Sequence, residues 1–104
     1  MLEINFEFRK GIFFIRLIGD LNNQNYKEEE NELKQLIVAN QFKYVVINTN
    51  HLNKVDLDGL NYLLEIFYIT KINKSNLVIC DKSNIFKRLL NNNIPSINEE
   101  IEVL

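Results

Sequence analysis

"VINTNHLNKVDLDGLNYLLEIF", residues 46–67, is the stretch on which the reading of this chain turns. It opens as an apolar strand, crosses a polar segment, and then sets "DLDG" in front of an apolar-striped run. Asp56 and Asp58 therefore stand where a helix begins. Carboxylates in that place can cap the helix, hold a metal ion, accept a phosphoryl group or stand in for one. The rest of the chain has to choose among these.

Upstream, "FKYVVINT" (42–49) is rich in β-branched residues and bounded by polar ones, which predicts a buried central strand. "NHLNKVDLD" follows as a loop carrying His51, the single histidine, which reads as solvated. Downstream, Leu60, Leu63, Leu64, Phe67 and Ile72 recur at helical spacing, which predicts a helix over about 58–72 with these residues inward. "NLVICD" (76–81) is a further short strand that places Cys80 in the core. "SNIFKRLLNN" (83–92) is a helix with Ile85, Phe86, Leu89 and Leu90 inward and Ser83 as its cap. Pro95 lies in the last connection, and 97–104 form a short final element of unassigned type.

At the N-terminus, "LEINFEF" (2–8) alternates with period two, "RKG" (9–11) turns, and "IFFIRLI" (12–18) is more continuously apolar, as a strand nearer the sheet centre should be. "GDLNNQN" (19–25) breaks that strand. "YKEEENELKQLIVANQ" (26–41) is a helix with Leu33, Leu36 and Ile37 inward. Its early turns carry Glu28, Glu29, Glu30 and Glu32, where the helix dipole favours negative charge, and Lys34 pairs with Glu30. The order β-β-α-β-α-β-α predicts one α/β domain over 1–104: a mostly parallel central sheet opened by an N-terminal β-hairpin, with helices packed against it. Loops are short, leaving little room for a large cleft.

Composition narrows the function. The 104 residues suit one domain, and roughly 65% of the unfolded surface is buried on folding at this size. A net charge of −2 with no Lys/Arg cluster gives no footprint for nucleic acid. A single cysteine rules out an intrachain disulfide. The N-terminus carries acid early, unlike a signal peptide, and no apolar run is long enough to span a bilayer, so a cytoplasmic protein without membrane insertion is expected.

Capping accounts for one carboxylate at the helix start, by Asp56 or by Asp58. A magnesium site for phosphoryl transfer would need more ligands, with Asp20 the evident third, yet there is no P-loop or Gly-rich phosphate fingerprint. An aspartyl-phosphate receiver would open with a strand feeding a helix, whereas this chain opens with a hairpin.

"GDLN" (19–22), "YVVINTNHLNKVD" (44–56) and "DLDGL" (56–60) together resemble the STAS domain family of anti-sigma-factor antagonists, over essentially the whole chain. That family has a glycine-acidic-leucine-polar step, a buried strand ending near an asparagine, and an aspartate-serine-serine-glycine-leucine motif. The resemblance implies a non-enzymatic protein-interaction module without catalytic residues, cofactor or metal. The partner it implies is an anti-sigma factor with serine-kinase activity, whose phosphorylation of the module abolishes binding. By position Asp56 matches the motif aspartate, Leu57 the first serine, Asp58 the second serine and usual phosphoacceptor, Gly59 the glycine and Leu60 the leucine.

Neither serine is present, and the nearest hydroxyls, Thr49 and Thr70, lie outside the motif. Asp58 supplies about one charge where phosphoserine carries about −1.5 to −2, so it is a permanent, weaker imitation of the phosphorylated state. The expected contact region is 55–63, with Tyr62, off the buried stripe, as an added contact and Tyr68 as a second exposed aromatic. Two alternatives stand beside this reading. One is a STAS subunit of a larger signalling or lipid-transport assembly; the other is a small magnesium-dependent phosphotransfer enzyme using Asp20, Asp56 and Asp58.

Overall fold

The alternation at the N-terminus becomes two strands, Leu2–Arg9 (β1) and Ile12–Leu21 (β2), paired antiparallel around the two-residue turn Lys10–Gly11. Both turn residues have positive φ, 54° and 82°, as a tight hairpin of matching twist requires. The helix Lys27–Ala39 (α1) leads to Tyr44–Val55 (β3), and Leu57–Ile72 (α2) leads to Asn76–Cys80 (β4). The short helix Ile85–Leu90 (α3) leads to a two-residue strand, Ser96–Ile97 (β5). The computed structural model describes residues 2–22, 27–90 and 94–100, and for 27–31, 87 and 90 the backbone alone.

The sheet order is β1-β2-β3-β4-β5, and every pair after the hairpin is parallel. Strand order equals chain order, so each crossover steps the same way. Right-handed connections then put all the helices on one face. On that face Phe13, Ile15 and Leu17 of β2, Val45 and Ile47 of β3 and Ile79 of β4 meet Leu33 and Ile37 of α1. Tyr62, Leu63, Ile66 and Phe67 of α2 complete the core, and Phe86 of α3 packs at its margin.

On the opposite sheet face, where neither α1 nor α2 packs, Phe14, Val46 and Cys80 are fully buried. Two guanidiniums cover Phe14, Arg9 at 5.0 Å and Arg16 at 5.4 Å from the ring centroid. Residues 98–100 cross the same face after β5, and Glu100 binds Arg16 through three hydrogen bonds of 2.7 to 3.0 Å. Asn48 donates to the same carboxylate at 2.6 Å. The middle of "IFFIRLI" thus carries a charge that its neighbours satisfy.

Several expectations are corrected. The strand expected to end at 18 runs through Leu21, and the one expected over 42–49 spans Tyr44–Val55, because polar residues pair as well as apolar ones once a ladder partner is present. His51 therefore lies on a strand, although it is exposed. On α2, Leu64 and Ile72 are 41% and 58% exposed, not inward. On α3, Ile85 and Leu89 are exposed, and Asp81 caps the helix jointly with Ser83. Lys34 pairs with Glu65 of α2; the side chains of Glu28, Glu29, Glu30 and Leu90 and residues 91–92 and 101–104 lie outside the described residues. Two open grooves, of about 910 and 740 Å³, replace the expected lack of clefts. No described helix is long and apolar enough to cross a membrane.

Hydrogen bonds from Arg16 hold the Glu100 carboxyl below the ordinary glutamate range. A depressed folded-state value means that this contact stabilises the fold fully above the unfolded glutamate pKa, about 4.3, and is lost as pH falls through the depressed value. Urea titrations from neutral pH downwards should therefore show a shallower acid loss in Glu100→Gln than in the wild type. Parallel curves would show that the contact does not contribute.

Candidate functional site

β4 pairs only with Tyr44–Asn48, so the second half of β3 and the end of β2 project past it as a two-stranded ribbon. In two places β3 spends one residue more than β2, between Arg16 and Ile18 and between Gly19 and Asp20. Such bulges bend and twist a ribbon. They leave Leu52 and Val55 packed against the core and carry the chain directly into α2.

The start of α2 is docked on the end of β2. Asp56 N–H donates to the Leu21 carbonyl at 3.2 Å, and Asp56 Oδ1 accepts from Gly59 N–H at 2.7 Å as the N-cap. Gly59 is buried, and a Cβ there would lie 2.3 Å from the Leu21 carbonyl oxygen. Glycine is needed for that approach. With position 59 facing the sheet, helical geometry turns 62, 63, 66, 67 and 70 inward as well, and these are the residues the structure buries. Thr70, of polar type, is accommodated by donating to the Ile66 carbonyl at 2.7 Å.

Tyr62 is accordingly a correction. Expected off the stripe as a partner contact, it is 2% exposed and packs in the core. Leu57 is 73% exposed, Leu60 half-buried, and Asp58 exposed in the first turn without a capping duty. The capping reading thus explains Asp56 and leaves Asp58 unexplained. Asp20 pairs in the ladder opposite Lys54. Among the described residues, no three His, Cys, Asp or Glu side chains come together as a metal-holding group, so Asp20, Asp56 and Asp58 do not form one.

The larger groove lies between the ribbon, the start of α2 and α3. Leu57, Leu60, Ile85, Phe86 and Leu89 give it an apolar wall, with Asp56, His51, Lys82 and Glu99 among its polar lining. Two residues that the sequence reading passed over hold this groove open. Buried Asp81 accepts from Ser83 Oγ at 2.7 Å and from Phe86 N–H at 2.8 Å, which seats α3. Asn50 accepts from Lys82 N–H at 2.7 Å and donates to the Asn98 carbonyl at 2.8 Å. The one signal for Asp81 was its place between a strand and "KSN". Tyr68, 66% exposed, lies on the second groove with Tyr44, Leu64 and Lys71.

Residues 3–94 match the STAS domain model. An anti-sigma F factor antagonist of Paenibacillus polymyxa is 24% identical over 89 residues, covering 86% of this chain and 76% of that protein. The anti-sigma factor antagonist SpoIIAA in its unphosphorylated form superposes with a TM-score of 0.78 at 13% identity, over 99% of this chain and 93% of that one. The Bacillus cell fate determinant SpoIIAA in its phosphorylated form gives 0.75 at 15% identity, over 97% and 96%. At these identities the structural likeness concerns the fold.

Chemical denaturation separates the roles at the helix start. Gly59→Ala should destabilise by about 1–3 kcal/mol through overpacking against backbone. Asp56→Ala should cost about 1 kcal/mol through the lost cap. Asp58→Asn should cost less than about 1 kcal/mol, the dipole interaction of an exposed charge alone. An Asp58 effect as large as that of Asp56 would make it a structural residue.

Proposed function

The chain belongs to the STAS domain family, and from that premise we propose that it is a protein-interaction module of the anti-sigma factor antagonist kind, acting in the cytoplasm as a binding partner and not as an enzyme. Its contact surface is the start of α2 with the adjoining groove: Asp56, Leu57, Asp58, Gly59 and Leu60, of which Leu57 and Asp58 reach out. One observation carries the reading. Asp58 is exposed on the first helical turn, where the cap is already supplied by Asp56, and it stands beside an exposed leucine on an apolar groove.

The first turn of a helix favours an anion, through its free amides and dipole. In the family motif the position of Asp58 belongs to the serine that takes a phosphate. A carboxylate there keeps about one negative charge and cannot be phosphorylated by a serine kinase or relieved by a phosphatase. The switch position is therefore set in a charged state. A matching partner surface would bring apolar side chains to Leu57, Ile85 and Leu89 and a basic group to Asp58. An anti-sigma factor of the serine-kinase-like type fits this description, as does a neighbouring subunit in a larger signalling or lipid-transport assembly.

Wild-type chain and Asp58→Ser are to be incubated with the serine-kinase-like anti-sigma factor of the native host and ATP, scoring both complex formation and phosphate transfer. The expected result is labelling of Asp58→Ser alone, together with a change in complex affinity. Identical binding and no labelling of either protein would sink the fixed-charge reading. A magnesium titration followed by thermal shift tests the enzyme alternative. A site filled to about a hundred times its Kd would gain about 2.7 kcal/mol, whereas a binding module should hold its midpoint.

A further inference from the structure

The sheet face opposite α1 and α2 bears a second concentration of polar chemistry, away from the start of α2. Its floor is the Phe14 ring, buried in the middle of β2. Arg16 distributes its guanidinium over three partners: Nη1 donates to Asn5 at 2.9 Å, Nη2 to Glu7 at 2.8 Å, and Nε with Nη2 to Glu100. Asn48, on the neighbouring strand, adds a donor to Glu100 Oε2. Arg9 also lies over Phe14 and pairs with Glu7 at 3.4 Å, while its Nε is buried with no hydrogen-bond partner among the described residues. One guanidinium and an amide thus converge on the Glu100 carboxylate, and a second guanidinium beside them has a donor left over.

Glu100 lies three residues past the last ladder residue, Ile97. β5 is two residues long, held by Ile79 N–H on the Pro95 carbonyl and Asp81 N–H on the Ile97 carbonyl, each at 3.0 Å, and Asn50 and the Cys80 thiol both donate to the Asn98 carbonyl. Glu99 reaches Lys82 only at 3.8 Å between exposed side chains, a pairing of small worth. Past Asn98, the side chain of Glu100 supplies the contacts with the sheet among the described residues. Planar guanidinium with a carboxylate in two-point contact is a recognition geometry that works equally well between chains.

The geometry points to a carboxylate-binding site on the sheet face opposite α1 and α2, formed by Arg16 and Asn48 over Phe14 with Arg9 beside them, in which Glu100 is the resident ligand and from which an acidic segment of a protein partner displaces it. The occupant it fits is an extended stretch like "NEE" (98–100) of this chain, with a carboxylate laid against Arg16. Because the resident is tethered, it competes at an effective concentration on the order of millimolar, which masks the site from weak external ligands.

The test uses the full chain and a labelled peptide of residues 96–104, SINEEIEVL, titrated by fluorescence anisotropy into wild type, Glu100→Ala and Glu100→Ala/Arg16→Gln. Removal of the resident should tighten peptide binding by about tenfold or more, by raising the fraction of open sites. The added Arg16→Gln change should abolish that gain, as should glutamine at both 99 and 100 in the peptide. Equal binding to wild type and Glu100→Ala, or binding indifferent to Arg16, would overturn the site. Should the double variant fail to fold by circular dichroism, Asn48→Ala combined with Glu100→Ala takes its place and must weaken the peptide.

Discussion

Gly59 lies against the Leu21 carbonyl at the point where the second strand ends and the second helix begins, too close for any Cβ. The rotation of α2 about its own axis follows from that approach. With Gly59 inward, the helical repeat carries Tyr62, Leu63, Ile66, Phe67 and Thr70 inward, while Leu57 and Asp58 turn out to solvent. The N-cap bond of Asp56 and its amide bond to Leu21 fasten the same junction. A residue larger than glycine would have to rotate or lift the helix, and the exposed pair at its start would move with it. The "DLDG" motif is thus one arrangement: the glycine and first aspartate position the second aspartate.

The two sheet faces are covered by different physics. Monotonic strand order sends every helix to one side, where burial of aliphatic and aromatic side chains drives packing. The other side keeps a small apolar cluster dry by laying guanidinium groups over an aromatic ring and pinning them with carboxylates. Such a cover depends on geometry and ionisation. This protein therefore presents two surfaces with distinct chemistry, an apolar groove at the end of the parallel strands and an ionic cluster across the opposite sheet face.

Legibility from the sequence varied with the kind of signal. The hairpin, the alternation of strands and helices and the parallel sheet were all readable, because period-two and period-3.6 patterns report burial directly. Leu33 and Ile37 were placed correctly for that reason. Tyr62 was not: the stripe drawn through Leu60, Leu63, Leu64, Phe67 and Ile72 left it outside, and the glycine that turns it inward has no hydrophobic signal of its own. Leu64, Ile85 and Leu89 erred the other way, apolar by type yet exposed along the grooves, and Ile72 is exposed as well. "NHLNKV" was read as loop because its residues are polar, although a bulged ladder with β2 makes it strand. Asn50 carries no local pattern, since its partners Lys82 and Asn98 lie far along the chain; Asp81 caps groups two and five residues on, but its apolar predecessors made it read as the end of a strand.

What the amino-acid order determined by itself is the succession of elements, the α/β class and the presence of two carboxylates at a helix start. Those depend on neighbours within a turn or a strand, where periodicity and capping chemistry act locally. Only the tertiary structure decided which aspartate caps and which is displayed, which face of α2 is buried, and where the carboxylate of Glu100 docks. Each of these is settled by groups far apart in the chain, Leu21 against Gly59 and Arg16 against Glu100, whose meeting depends on how the strands are ordered and not on any residue's own preference.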